Sequence, residues 1–195
     1  MTLPPWVPPQ EVKPAPLPLL LVQSFVNTWD ADTGTDLLAS PDPAAGWLRQ
    51  AGLIGPDAAA RPAGLRQARE VRESLRALLA RNGGGPPPAA DQLAPLDALA
   101  RAGRPRLSVD RSGRMLLGPP PRGSLADGLL GLLLVVRDAQ HQGTWPRLKA
   151  CRNPDCRWAF FDRSHAHRGA WCDMATCGNM IKNRNLRARR REPDR

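Results

Sequence analysis

Residues 151–177, "CRNPDCRWAFFDRSHAHRGAWCDMATC", contain all four cysteines of the chain. The cysteines form two C-x4-C pairs, Cys151 with Cys156 and Cys172 with Cys177, and fifteen residues separate the two pairs. A tetrahedral zinc site needs four soft donors, and two short knuckles joined by one loop supply them at little cost in chain entropy. The spacing therefore predicts a small metal module that holds one structural zinc ion per chain.

Other states of these residues are open at this point. The four thiols could form two disulfides or stay unligated in the interior, although clustered thiols in a reducing cytosol favour metal. His165 and His167 lie between the pairs and could replace a cysteine ligand, or be loop residues that contact phosphate. Since a closed four-ligand site has no open coordination position, we do not expect catalytic zinc.

The segment between the pairs carries four aromatic residues, which are Trp158, Phe160, Phe161 and Trp171. A module of this size has too few residues for an ordinary core, so aromatic rings packed around the metal are the first interpretation. Stacking of nucleic-acid bases on these rings is the alternative.

The sequence after the last cysteine, "GNMIKNRNLRARRR" (178–191), predicts a basic helix. Gly178 fits a knuckle turn, Asn179 is a good N-cap, and residues 180–191 are strong helix formers without glycine or proline. At helical spacing Arg184, Arg187 and Arg191 share one face. The residues predicted to contact nucleic acid are Arg168 in the loop and Lys182, Arg184, Arg187, Arg189, Arg190 and Arg191 in the helix.

The charge of the chain is strongly asymmetric. The net charge is +10, and residues 145–195 account for +8 of it. Such asymmetry indicates a polyanionic partner, either nucleic acid or an anionic membrane surface, whereas a basic tail alone can also be a solvated end.

The front of the chain predicts a mainly helical fold with a small hairpin. In "LRQAREVRESLRALLARNGGG" (65–85) the apolar residues fall on one face and the arginine and glutamate residues on the other. "RLSVDRSGRMLLG" (106–118) alternates apolar residues across a turn, which is typical of a hairpin. "SLADGLLGLLLVVRDAQ" (124–140) begins with a capping box and is apolar nearly all round, so we expect a central helix.

These patterns divide the chain into three parts. Residues 1–16 are rich in proline and predict a disordered arm. Residues 17–144 form the helical domain, and residues 148–191 form a zinc-knuckle, treble-clef-like finger with its basic C-terminal helix. The fold class is thus mainly α, of the α+β type.

Several classes of function find no support in the sequence. The longest apolar run, 129–136, is about half of what a bilayer requires, and the N-terminus does not have the pattern of a secretory signal, so we expect a cytosolic protein. The chain has no glycine-rich phosphate loop and no Ser/His/Asp arrangement, and His141 is the single histidine before the finger. We therefore predict that the protein is not an enzyme.

The finger resembles the CGNR zinc finger, a bacterial module. The matching residues are Cys151, Cys156, Phe161, Asp162, Ser164, Trp171, Cys172, Met174, Cys177, Gly178 and Asn179. Two departures stand out. Met180 replaces the arginine that ends the CGNR motif, and the basic stretch after Ser164 is reduced to "HAHRG", which keeps only Arg168.

The front part is similar to the ABATE domain, a stress-induced transcription regulator domain that usually precedes this finger. The similar stretches are "FVNT" (25–28), "WLRQAGL" (47–53) and "LRQAREVRESLRALL" (65–79), and both resemblances together cover roughly residues 18–191. The resemblance implies a zinc-dependent, DNA-binding regulator of the bacterial cytoplasm, associated with the nucleoid when it is bound to DNA. The front domain would sense a signal or form a homodimer. The alternative is a protein-interaction or RNA-associated module in which zinc is purely structural.

Overall fold

The computed structural model describes residues 2–120 and 123–191, with the side chains of 185 and 188–191 left out of the description. The described residues fold into six helices: α1 Leu19–Val26, α2 Pro41–Gln50, α3 Pro62–Asn82, α4 Ala90–Ala102, α5 Leu125–His141 and α6 Asn179–Arg191. Three antiparallel two-stranded sheets accompany them: β1 Trp29–Asp30 with β2 Thr35–Asp36, β3 Arg106–Val109 with β4 Met115–Gly118, and β5 Leu148–Ala150 with β6 Ala159–Phe161. The predicted α+β class is confirmed.

The core of the molecule is built on α3. Its predicted apolar face is buried, with Leu65, Ala68, Val71, Leu75 and Leu79 each at most 1% exposed. The opposite face is not uniformly solvated as predicted, because the side chains of Arg72 and Arg76 are also buried. Helix α3 contacts α1, α4, α5 and β5, so it joins the helical part of the chain to the segment that carries the cysteines.

The capping box predicted at the start of α5 is present. The Ser124 hydroxyl accepts from the Asp127 amide at 3.3 Å, and an Asp127 carboxylate oxygen accepts from the Ser124 amide at 3.1 Å. Within the helix, a Cβ at Gly128 would lie 2.0 Å from the carbonyl oxygen of Leu53. Only glycine permits this approach, which places α5 directly against the backbone that follows α2.

No helix in the described part of the chain has the length and apolar character needed to cross a bilayer.

The predicted hairpin is confirmed as β3–β4, with Leu107 opposite Leu117 and Val109 opposite Met115. These four side chains share one face of the ribbon, because alternate residues of a strand point to the same side. The face is not covered in the structure: Leu107 is 68%, Val109 59% and Met115 64% exposed.

The proline-rich arm differs from its prediction. The sequence predicts disorder over residues 1–16, of which residue 1 lies outside the described residues, whereas the structure packs residues 2–16 along the helical core and the cysteine segment. The Lys13 carbonyl accepts from the Phe161 amide at 2.9 Å, and the Trp6 carbonyl accepts from Trp47 Nε1 at 2.8 Å. Val7 and Ala15 are buried in the main core. The arm is ordered by these long-range contacts, which proline content does not reveal.

Strands β5 and β6 connect the core to the cysteines. On one face of this ribbon, Leu148 opposite Phe161 and Ala150 opposite Ala159 are buried in the main core. On the other face, Phe160 belongs to a second buried cluster that contains all four cysteines. Because alternate strand residues face opposite sides, a three-residue strand pair is enough to attach the cysteine segment to the helical core.

Candidate metal centre and nucleic-acid interface

The four cysteine side chains converge on one point. Their sulfur atoms all lie within 4.8 Å of one another, and all four residues are buried. Cys172 Sγ lies 3.6 Å from Cys156 Sγ and 3.8 Å from Cys177 Sγ. In a regular tetrahedron with zinc–sulfur bonds of about 2.3 Å, two sulfurs are about 3.8 Å apart. The cysteines are thus positioned to bind one metal ion, and the all-sulfur donor set fits one structural zinc.

The separations exclude the disulfide alternative, since bonded sulfurs lie about 2.05 Å apart. Hydrogen bonding to Cys151 raises the pKa of the Cys156 and Cys172 thiols, and burial and the charge of the neighbouring sulfurs raise it further. A bound divalent cation reverses this effect by favouring thiolates. Zinc ligation therefore explains how four sulfur atoms can lie buried and adjacent to one another.

The first knuckle is shaped by Asn153, which is 1% exposed. Its backbone carbonyl accepts from the amides of Cys156 and Arg157, both at 3.0 Å, and its side-chain oxygen accepts from the Asp155 amide at 3.2 Å. Its side-chain amide donates to Cys177 Sγ at 3.6 Å. Asn153 thus closes the first turn and contacts the fourth ligand, a role that the spacing of the cysteines did not reveal.

The second knuckle begins at Asp173, whose carboxylate accepts from the Ala175 amide at 3.0 Å and from the Thr176 hydroxyl at 3.2 Å. One π-type turn, Met174–Gly178, then leads directly into α6. The prediction that Asn179 is the N-cap is wrong, because Asn179 already has helical dihedral angles and the capping carboxylate lies six residues earlier.

Gly178 matters for space rather than for a turn conformation. A Cβ there would lie 2.5 Å from Met174 Sδ and 3.2 Å from the Trp171 ring. A side chain at position 178 would force Met174 and the Trp171 ring to shift.

The aromatic residues of the segment are packing residues. Trp158, Phe160 and Phe161 are at most 8% exposed, and Trp171 is half-buried against the cysteine cluster. Three of the four rings therefore have no free face for base stacking. His165 and His167 are both exposed and lie outside the group of metal-binding side chains.

The predicted nucleic-acid contacts are distributed over α6 and the loop. Lys182, Arg184, Arg187 and Arg168 are exposed, and Arg184 forms a long ion pair of 3.6 Å with Asp155. The side chains of Arg189, Arg190 and Arg191 lie outside the described residues. Helix α6 continues directly from the turn that contains Cys177, so the second knuckle sets the direction in which the helix begins.

Arg76 is a structural residue that the sequence pattern missed. Its guanidinium is fully buried, stacks on Trp29 at 5.0 Å, and donates to the carbonyl oxygens of Val26 at 2.7 Å and Arg157 at 3.0 Å. The side chain therefore joins the end of α1 to the first knuckle. Helical spacing assigned it to a solvated face, because periodicity does not distinguish a surface arginine from one that satisfies buried carbonyls.

Comparison with known families matches two parts of the chain. The ABATE family, described as "Putative stress-induced transcription regulator", matches residues 20–141. The CGNR zinc finger matches residues 147–190. Neither is a family of enzymes. No curated protein matches the chain.

Proposed function

The chain belongs to the ABATE family and carries a CGNR zinc finger, and from this premise we propose that it is a zinc-dependent, DNA-binding transcription regulator. Residues 17–144 act as the sensing or dimerising domain, and residues 148–191 contact DNA. The protein works in the cytoplasm, on the nucleoid, and has no catalytic role.

The observation that carries the proposal is the junction between the metal site and α6. The fourth ligand, Cys177, lies within the π-type turn that becomes the helix, and the helix presents Lys182, Arg184 and Arg187 to solvent. A cation that neutralises a DNA phosphate releases counterions and strengthens binding. A helix whose orientation is fixed by metal loses less entropy on binding than a disordered basic tail.

The test is a salt titration of DNA affinity. Replacing Lys182, Arg184 and Arg187 by glutamine keeps the helix but removes three charges. Each phosphate contact contributes about −0.9 to the slope of log affinity against log salt on duplex DNA, so we expect the slope to weaken by about 2 to 3. Fluorescence anisotropy on a labelled duplex measures it.

The matched control replaces three arginines of the hairpin region by glutamine, namely Arg104, Arg106 and Arg111. These residues are exposed and have no ion-pair partner among the described residues. An equal loss of slope in both triple variants would mean that total charge, rather than α6, determines binding. Zinc-loaded protein without measurable affinity for duplex DNA would refute the proposal.

A cavity supports the sensing role of the front domain. It has a volume of about 350 Å³ and lies between the N-terminal arm and the β1–β2 hairpin. Trp6, Val7, Leu37 and Trp47 give it apolar walls, and Asp30 lies at the same cavity. Small-molecule sites in proteins are apolar clefts of similar size, about 300–1,000 Å³, with a few polar groups.

A second function, protein interaction with a purely structural zinc, is favoured by the exposed apolar face of β3–β4. Contiguous exposed apolar residues indicate an interaction surface more often than an ordinary monomer surface. Crosslinking in the cell discriminates the two functions. Recovery of genomic DNA supports the regulator, whereas recovery of protein alone, or of RNA, supports the alternatives.

A further inference from the structure

A second basic surface lies outside α6. It is a cavity of about 370 Å³ where the end of α3 meets β5 and the loop after β6. Four of the residues that line it are basic, namely Lys149, Arg152, His167 and Arg168, and none is acidic. The Arg147 guanidinium contacts the His167 ring from beside it. We call this site the basic cavity.

Its positive charge is only partly compensated. Lys149 is neutralised by Asp162, whose carboxylate lies 2.7 Å from Nζ. Arg147, Arg152 and Arg168 have no carboxylate at ion-pair distance among residues 2–120 and 123–191. Arg152 and Arg168 line the cavity without a counter-charge, and Arg147 adds a third through its contact with His167. Such a concentration of positive charge attracts an anion, and arginine suits phosphate because its planar group can bind two oxygens at once.

Hydrogen bonds within the protein hold Arg152 and His167 in position at the cavity. The guanidinium of Arg152 donates from Nε to the Gly83 carbonyl at 2.7 Å, at the end of α3. Gly84 allows this position, since a Cβ there would lie 2.7 Å from Arg152 Nη2. His167 has a left-handed backbone with φ of 51°, and its carbonyl accepts from Lys149 Nζ at 2.6 Å. Non-glycine residues in this conformation cluster at functional sites.

The basic cavity and α6 flank the same knuckle. Arg152 follows Cys151, Asn153 contacts Met180 at the start of α6, and Asp155 pairs with Arg184. A polyanion that contacts the helix therefore has a second cationic site across a knuckle of only six residues.

We propose that the basic cavity binds a phosphate group, and that the phosphate belongs to the backbone of the DNA contacted by α6. This inference rests on the proposed DNA-binding function. It adds Arg147 and Arg152 to the residues that contact DNA, and it gives the loop residue Arg168 a defined partner. A free phosphate compound is the other source of the same chemistry.

The experiment uses the zinc-loaded full chain with Arg147 and Arg168 replaced by alanine. Neither side chain has an ion pair among the described residues. The double variant keeps the hydrogen bond from Arg152 to the Gly83 carbonyl and the Lys149–Asp162 ion pair. The matched control is Arg104→Ala with Arg106→Ala. Arg168→Glu alone provides a second variant at an exposed position, should the double variant bind less zinc than the natural chain.

We expect the slope of log affinity against log salt to weaken by about 1 to 2 in the cavity variant and to stay unchanged in the control. In parallel, pyrophosphate is titrated against the labelled protein, and the amide signals of Gly84 and Gly169 are followed by NMR. A cavity-specific change in slope supports the DNA backbone as the source. Unchanged DNA binding with pyrophosphate shifts that the variant abolishes supports a free phosphate compound.

An unchanged slope together with silent amide signals overturns the inference and leaves the DNA-binding function standing. If the natural chain does not bind DNA, the proposed function fails, and the pyrophosphate titration alone decides whether the cavity binds phosphate.

Discussion

Lys149 and Asp162 form an ion pair in the interior of the protein, with Nζ 2.7 Å from Oδ2 and both side chains at most 5% exposed. Both charged groups also form hydrogen bonds with the backbone. Nζ also donates to the carbonyl oxygens of His167 and Gly169, and the carboxylate accepts from the amides of Ser164 and Gly169. The pair therefore fixes the loop between β6 and the second knuckle, including the wall of the basic cavity.

Removal of one partner should be strongly destabilising. Asp162→Ala leaves the Lys149 ammonium buried without a counter-charge, and such changes cost about 3–5 kcal/mol. Urea unfolding measures the free energy of unfolding. The double variant Lys149→Met with Asp162→Leu should recover only part of the loss, because it removes the unpaired charge but leaves the amides of Ser164 and Gly169 without their acceptor. A single variant as stable as the natural chain would show that the pair is not buried in solution.

Stability should also depend on pH through Asp162. Burial alone would raise its pKa, but hydrogen bonds from Lys149, Ser164 and Gly169 hold the pKa of this carboxyl well below its usual range. A depressed folded-state pKa contributes stability above the unfolded value, about 3.9, and this contribution is lost as pH falls below it. We expect the urea midpoint of the natural chain to fall more steeply below about pH 4 than that of Asp162→Asn. Parallel curves would contradict this assignment.

Removal of zinc should lower the stability of the whole chain and not of the finger alone. Strands β5 and β6 join the cysteine cluster to the helical core, so an unfolded finger withdraws Leu148 and Phe161 from that core. A loss of several kcal/mol corresponds to a fall in Tm of about 10 °C or more. Calorimetry with and without a chelator measures it, and metal analysis should give one zinc per chain.

Cys172→Ser should reproduce the effect of the chelator, whereas Ala175→Ser, an exposed change in the same knuckle, should keep both zinc and Tm. An unchanged Tm after chelator treatment would show that the metal does not stabilise the helical core.

The N-terminal arm should contribute measurably through Lys13. Its Nζ donates to the Trp171 carbonyl at 2.8 Å and lies 5.1 Å from the centre of the Phe160 ring. Lys13→Met keeps most of the apolar stem but loses the hydrogen bond and the charge over the ring, so we expect a loss of about 1–2 kcal/mol in urea unfolding. Val12, 66% exposed, provides the control: Val12→Ala should change little. Equal effects of both changes would argue against a specific contact.

Met180 occupies the position at which the CGNR motif has arginine, and its side chain is 55% exposed. Met180→Arg adds a cation to the first turn of α6, so DNA affinity should rise and the salt slope should steepen by about 0.9. Met115→Arg adds the same charge to the exposed hairpin face and should leave the slope unchanged. Identical slopes for the natural chain and Met180→Arg would mean that this position does not face phosphate.

The zinc ligands and the main helices could be predicted from the sequence because their signals are local. The spacing of Cys151, Cys156, Cys172 and Cys177 already contains the geometry of two knuckles, and the buried face of α3 follows its helical period. The cap of the second knuckle was harder. Asp173 and Asn179 are both good caps, and the π-type turn that holds Cys177 decides between them.

The remaining errors concern long-range contacts. Arg76 fits a solvated helix face by period, yet its partners are the carbonyls of Val26 and Arg157, 50 and 81 positions away. The arm was expected to be disordered because proline disfavours helix and strand, but proline does not prevent docking on a surface formed elsewhere. Composition predicts which secondary structure a segment cannot form, but it does not predict the tertiary contacts that the segment makes in the folded protein.

The arm also has a consequence for the order of events during synthesis. Glu11 accepts a hydrogen bond from Trp158 across 147 positions, and Lys13 donates to Trp171 across 158. At about 5–20 residues per second, the ribosome makes these partners roughly 7–32 s after the arm. The contacts of Glu11 and Lys13 therefore form only after the finger has been made, and until then the arm can dock only on the helical core.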